Sequence, residues 1–330
     1  MGEETATRNQ LPLPEPVIYR GFKGKVTAIA PFHMPSGWKI VIGTQSGEVS
    51  LMDTNDGTIE EAIYCDEDCR PITSTGVIST STIFVHIRGH GVVILEWKGV
   101  ESGDGRSSFS VVDSIPSSHV GFCAAIAVGS SIILPDREKA LKVYTRTGDS
   151  SSIRDLPLQT SFQPMALCLR GEDHVVGGED GSVAVYNRDH PAQFALRDKV
   201  FSSTPVFALC SFRDCIVAGS SSTEPLRVLD ADSLQDKISI PFPQEAQGCG
   251  SLAVSTKEGT TPLRFVSGFW DGSVRFYSCS SFAPLLVLPP HNQGRESLNS
   301  FVWVPPLPTT TVYTANEDSN LYLYNLKVWK

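Results

Sequence analysis

VVGGEDGSVAVYN, residues 175–187, and FVSGFWDGSVRFYS, residues 265–278, decide the fold between them. Each reads as an apolar strand, a small residue, a polar turn ending in Asp-Gly, and a second strand of alternating apolar residues. Alternation with period two marks a half-buried strand. Asp-Gly suits a tight hairpin because glycine adopts positive φ without a Cβ clash.

Five further stretches carry weaker copies: 40–53 (IVIGTQSGEVSLMD), 84–97 (FVHIRGHGVVILEW), 132–145 (IILPDREKALKVYT), 216–230 (IVAGSSSTEPLRVLD) and 312–325 (VYTANEDSNLYLYN). The first apolar residue after each turn serves as a marker: Val49, Val93, Leu141, Val183, Leu226, Val274 and Leu321. Successive gaps are 44, 48, 42, 43, 48 and 47 residues. Repeats of about 40–45 residues are the period of WD40 propeller blades, and loops stretch it. The reading is therefore all-β, a seven-bladed WD40 β-propeller. One such sheet is too thin to stand alone and buries its faces against its neighbours. The strand-end Trp-Asp that names the repeat is replaced in every unit, from Met52-Asp53 to Tyr324-Asn325, so the repeat is degenerate.

Inner strands are expected at 26–31, 72–77, 123–128, 165–169, 206–211, 251–254 and 298–304. The last unit reaches Lys330 with only three strands, while Val17–Arg20 precedes the first inner strand. The N-terminal strand is therefore expected to complete the last blade, which removes an open sheet edge. Residues 1–15 would be a flexible N-terminal tail, and 16–330 the propeller.

The 330 residues are 41% hydrophobic and 19% charged, enough apolar material for a continuous core. Net charge is 27 − 36 = −9. An acidic balance disfavours general nucleic-acid or anionic-membrane binding, which needs a basic footprint. No apolar run approaches the roughly 18 residues of a membrane span, and the polar, Pro-rich start is unlike a secretion signal. Eight scattered cysteines read as reduced thiols of a cytosolic or nuclear protein.

Candidate chemistry is sparse. WD40 blades are held by a tetrad of His, Ser or Thr, turn Asp and an aromatic. Here the last blade offers His291, Thr314, Asp318 and Tyr324, and further turn acids are Asp180 and Asp271. A His, an acid and a hydroxyl also make a catalytic triad. The repeat context favours a structural network instead, and no nucleophile-elbow, zinc-protease or phosphate-loop motif accompanies it. No catalytic residue is assigned. Cys65 and Cys69 have a spacing zinc tolerates, but no second pair stands in register, so neither metal nor other cofactor is expected. Asp66, Glu67 and Asp68, with Glu60 and Glu61, form an acidic loop that reads as solvated or as a patch for a basic partner segment. Phe269-Trp270 sits in a turn, where Trp often anchors an interface. The stretch 99–110 (GVESGDGRSSFS) has loop composition.

Three segments also resemble one particular WD40 family. They are PVIYRG at 16–21 with GTQSGEVSLMD at 43–53, VVDSIPSSHVGFCAAI at 111–126, and SGFWDGSVRFYS with PLLVLPPH within 267–291. Their order and content resemble the ASTRA-associated protein 1 family, which includes the guanine nucleotide-binding protein β-subunit-like protein 1. The second and fifth blades depart most. The resemblance implies a non-catalytic adaptor. Its partners would be co-chaperone subunits of the Tel/Tti assembly and the phosphatidylinositol 3-kinase-related kinases that assembly matures, with chromatin-remodelling subunits besides. It also implies a nuclear and cytoplasmic setting and a monomeric subunit within a complex. The alternative is a generic propeller that reads a peptide or histone tail in an aromatic-lined central pocket.

Overall fold

A computed structural model describes residues 13–100, 107–137, 140–148, 150–158, 162–187, 194–255, 264–290, 298–303, 311–316 and 319–326. Most of the expected tail, residues 1–12, lies outside them.

Among the described residues, twenty-eight strands form seven four-stranded antiparallel sheets. After β1 (Val17–Tyr19), the first blade holds β2 (Val26–Met34), β3 (Gly37–Thr44), β4 (Glu48–Asp53) and β5 (Ile59–Cys65). The second holds β6 (Ile72–Ser79), β7 (Thr82–Ile87), β8 (Gly91–Val100) and β9 (Ser107–Pro116). The third holds β10 (Ile126–Val128), β11 (Ser131–Pro135), β12 (Ala140–Thr147) and β13 (Ser150–Pro157). The fourth holds β14 (Pro164–Arg170), β15 (Asp173–Gly178), β16 (Ser182–Tyr186) and β17 (Phe194–Lys199). The fifth holds β18 (Val206–Phe212), β19 (Cys215–Ser220), β20 (Leu226–Asp230) and β21 (Asp236–Ile240). The sixth holds β22 (Cys249–Val254), β23 (Arg264–Phe269), β24 (Val274–Ser278) and β25 (Pro284–Leu288). The seventh holds β26 (Leu298–Trp303), β27 (Thr311–Asn316) and β28 (Leu321–Asn325).

The fourth strand of the seventh blade is β1. Val17, Ile18 and Tyr19 pair antiparallel with Leu323, Tyr322 and Leu321. The expected closure is what the structure shows, and all seven markers fall in the third strand of their blade. The stretch 99–110 differs from its loop reading. Strands β8 and β9 run into it from both sides, pairing Gly99 with Ser108 and Val100 with Ser107.

The core is divided seven ways. Seven separate clusters of buried apolar residues lie one at each interface between neighbouring blades. Val26, Ile40 and Ile42 of the first blade, for instance, pack with Tyr313, Ala315 and Leu321 of the seventh. A ring assembled this way is held by its interfaces rather than by any one sheet.

The small residue before each turn has a steric reason. A Cβ on Gly43 would stand 2.5 Å from Ile72 Cγ2, one on Gly177 2.5 Å from Val206 Cγ1, and one on Gly219 2.7 Å from Cys249 Sγ. In each case the contact is with the first residue of the next blade's inner strand. Glycine here makes room for that residue. In the Asp-Gly turns the need is conformational as well: Gly181 and Gly272 have φ of 84° and 83°.

Candidate binding face at the ring axis

One irregularity recurs and builds the site. Six of the seven inner strands shift register at their second residue, between Val26 and Ala28, Ile72 and Ser74, Pro164 and Ala166, Val206 and Ala208, Cys249 and Ser251, and Leu298 and Ser300. A bulge re-aims the extra residue away from the ladder. Thr27, Thr73, Met165, Phe207 and Gly250 occupy that position, and all five line one cavity on the ring axis, of about 670 Å³. Ala124 is the corresponding residue of the third blade and lines it too.

The mouth of the cavity is formed by turns between second and third strands and by the segments that lead into the inner strands. The turns contribute Gln45, Arg88 and Trp270; the leading segments contribute Lys25, Pro71, Gly121 and Phe122. These connections all lie on one face of the ring. Phe122, Phe207 and Trp270 form a continuous aromatic run, with ring centroids 5.3 Å and 5.5 Å apart. Phe122 is 58% exposed, far more than an aromatic ring placed for packing. The Arg88 guanidinium lies 5.0 Å from the Phe122 centroid, and its Nε donates to the Val120 carbonyl at 2.7 Å. The first and second blades therefore give a polar, cationic wall, and the third to sixth an apolar, aromatic one.

The predicted site residues distribute unevenly. Trp270 reaches the cavity, but its neighbour does not. Phe269 is fully buried, tilted against Phe242 at 4.6 Å with Arg275 over its face. Its expected partner-contact role is corrected, because it ends β23 and points into the interface with the fifth blade. Asp66 is corrected likewise. Its carboxylate is buried and takes Arg70 Nη2 on Oδ1 at 2.7 Å, and Arg70 Nε and the Arg70 backbone N–H on Oδ2 at 2.9 Å and 2.8 Å. Hydrogen bonding from Arg70 holds the Asp66 carboxyl below its ordinary value. Arg70 Nη1 reaches His90 Nδ1 at 3.0 Å, so the acidic loop is a polar lock between blades. Glu67 and Asp68 remain exposed.

The turn acids cap their own turns. Asp180 accepts from the Ser182 N–H, the Ser182 hydroxyl and Arg197, each at 3.0 Å; Asp271 accepts from the Ser273 N–H at 2.8 Å. In the last blade, Thr314 and Tyr324 are both buried on neighbouring strands, while His291 and Asp318 lie outside the described residues. A polar network that the sequence reading missed occupies the third blade. There the Ser117 hydroxyl donates to the Pro135 carbonyl at 2.8 Å, and Lys142 pairs with Asp136 at 3.0 Å and donates to the Pro116 carbonyl at 2.7 Å. His119, in the same loop as Ser117, is largely buried, and that burial lowers its pKa. Cys65 and Cys69 are both exposed. Among the described residues no cluster of three metal-ligating side chains forms.

The bulge positions had a signal. Six inner strands open with a triplet whose third residue is Ala or Ser, and in the third blade the same triplet directly precedes the strand: Val26-Thr27-Ala28, Ile72-Thr73-Ser74, Cys123-Ala124-Ala125, Pro164-Met165-Ala166, Val206-Phe207-Ala208, Cys249-Gly250-Ser251 and Leu298-Asn299-Ser300. In the first six blades its middle residue is the one that lines the axis.

No protein-family model matches the sequence, and no curated protein matches it. Solved structures do match. The chain is similar to Raptor of Chaetomium thermophilum, at a TM-score of 0.71 and 12% identity, over 94% of this chain and 29% of that one. It is similar also to Sqt1 of the same organism, in complex with the N-terminus of ribosomal protein L10, at 0.70 and 15%, over 93% of this chain and 85% of that one. The fold is a WD40 propeller. The chain thus spans less than a third of the Raptor chain and most of the Sqt1 chain.

Proposed function

We propose that this propeller is a non-catalytic scaffold that holds protein partners, with its axial face as the principal docking surface. The observation that carries the reading is the aromatic run Phe122–Phe207–Trp270 at the mouth of the axial cavity, with Phe122 exposed and the other two rings half-buried. Large rigid aromatics in a concave, otherwise apolar setting are what anchor partner side chains. The described lining offers cations, hydroxyls and an amide, groups that orient a ligand. Sqt1, whose fold this chain shares, is bound to the N-terminus of another protein, which supports the reading that a propeller of this kind holds a peptide segment.

The finer reading rests on the three segments that resemble the ASTRA-associated protein 1 family. On it, the scaffold serves the Tel/Tti co-chaperone assembly and phosphatidylinositol 3-kinase-related kinases, in nucleus and cytoplasm. Affinity purification of the full tagged chain with mass spectrometry tests it. Recovery of those co-chaperone subunits or kinases supports the reading. Their absence, with other proteins captured, removes the finer part and leaves the scaffold. Loss of the captured set on Trp270→Ala places the contact at the axis.

A further inference from the structure

We infer that the axial site takes an extended acidic peptide segment in which a carboxylate neighbours a bulky apolar side chain. This rests on the reading of the axial face as the docking surface and specifies its ligand.

Three observations lead there. The first is charge. The chain carries a net charge of −9, yet among its described lining residues the axial cavity has two cations, Lys25 and Arg88, and no carboxylate. A cationic mouth on an acidic protein selects anionic segments and repels basic ones. The second is the state of Arg88. Its Nε is occupied by the Val120 carbonyl and its plane rests over Phe122, which fixes the guanidinium at the mouth. No carboxylate pairs with it among the described residues, and its planar guanidinium keeps N–H donors beyond Nε of the kind that suit a carboxylate. The third is how the aromatics sit. Successive centroids 5.3 Å and 5.5 Å apart mean that the rings touch one another. They form a platform rather than the separated walls that enclose an ammonium group. Arg88 already takes the face of Phe122. Arg88 thus sits directly against the aromatic run, so a ligand that meets both presents a carboxylate and an apolar side chain within a few residues of each other. A basic tail, methylated or not, lacks the carboxylate that Arg88 and Lys25 call for.

Fluorescence anisotropy with the full chain tests this, using labelled heptapeptides as probes. One carries Glu and Asp around a central Phe, a second has Ala for the Phe, a third has Lys for the acids, and a fourth carries trimethyl-lysine. The first is expected to bind at least tenfold more tightly than each of the others and to weaken as salt rises. Arg88→Gln and Trp270→Ala should each weaken it at least tenfold, with unchanged circular dichroism and melting. Arg88 is exposed, so its substitution leaves the core intact. Phe207→Ala gives a second aromatic variant should Trp270→Ala unfold. Equal or tighter binding of the lysine or trimethyl-lysine peptide overturns the inference, as does failure of the acidic peptide to bind or indifference to both substitutions. The two readings fail separately. Cellular partners that bind wild type and both variants alike would retain the scaffold and discard this ligand. Acidic peptide binding with no partner recovered would do the reverse.

Discussion

The junctions on the two sides of the ring solve one packing problem in opposite ways. Between the fourth and fifth blades, and between the fifth and sixth, a glycine at the end of the second strand leaves room for the next blade: Gly177 for Val206, Gly219 for Cys249. Between the second and third blades the same position holds His86, which is opposite Ser74 as Gly177 is opposite Ala166. The imidazole fills the space and is almost completely buried. Its Nδ1 accepts the Ala125 N–H at 3.2 Å, and the Ser74 hydroxyl donates to the Ala125 carbonyl at 2.9 Å. Both backbone groups of Ala125 are thus taken by side chains of the preceding blade, and β10 begins only at Ile126. A shortened inner strand is tolerated because its neighbour supplies the hydrogen bonds that its own sheet does not. The ring can therefore be closed with either apolar or polar junctions, provided each position is filled.

The largest expected effect comes from breaking an apolar junction. Gly177→Val drives branched carbons into Val206 and should cost about 3 kcal/mol in urea denaturation. Gly177→Ala should cost about 1 kcal/mol, since Ala315 occupies the matching position of the seventh blade. A cost below that of an ordinary surface change would show that the interface slides apart freely. Breaking the polar junction comes next. His86→Ala leaves a cavity and an unmet Ala125 N–H, together about 2–3 kcal/mol by the same measurement. Asp66→Asn, which strips the charge from the Arg70 lock, should cost about 1–2 kcal/mol. Its effect should shrink in acid, because the folded-state pKa of Asp66 is depressed and its contribution disappears as pH falls through it.

The smallest effect is a slope. Burial pushes the His86 pKa down to about 3. The unfolded chain protonates this histidine below about pH 6.5 and the folded chain does not, so stability falls on acidification across that window. The slope is at most about 1.4 kcal/mol per pH unit. His86→Asn keeps an acceptor near Nδ1 and removes the titration. Denaturation midpoints from pH 7 to pH 4 should therefore fall less steeply in the variant. Equal slopes would mean that His86 is not held neutral.

The fold was legible because a propeller repeats its decisions. Seven turn units each report the same strand–turn–strand choice, and β1 pairs with β28 as the seventh copy requires of a closed ring. The binding face was less legible. Trp270 stood out in its turn, but Arg88 and Phe207 looked like ordinary turn and strand residues. What sets Phe207 apart is a bulge, and a bulge rotates a residue out of the alternation on which strand reading depends. Phe269 and Asp66 misled for the converse reason. A turn-adjacent aromatic and an acidic loop look exposed in sequence. An arginine four residues on in one case, and a neighbouring blade in the other, bury them.

The central claim, that the axial face is where this scaffold holds its partner, is tested most directly by hydrogen exchange on the full chain with a captured partner bound. Protection should concentrate at 70–73, 86–89, 120–124, 206–209 and 269–272, the segments around the cavity mouth. Protection confined to the outer strands β13, β17 and β21, with those axial segments unchanged, would contradict it.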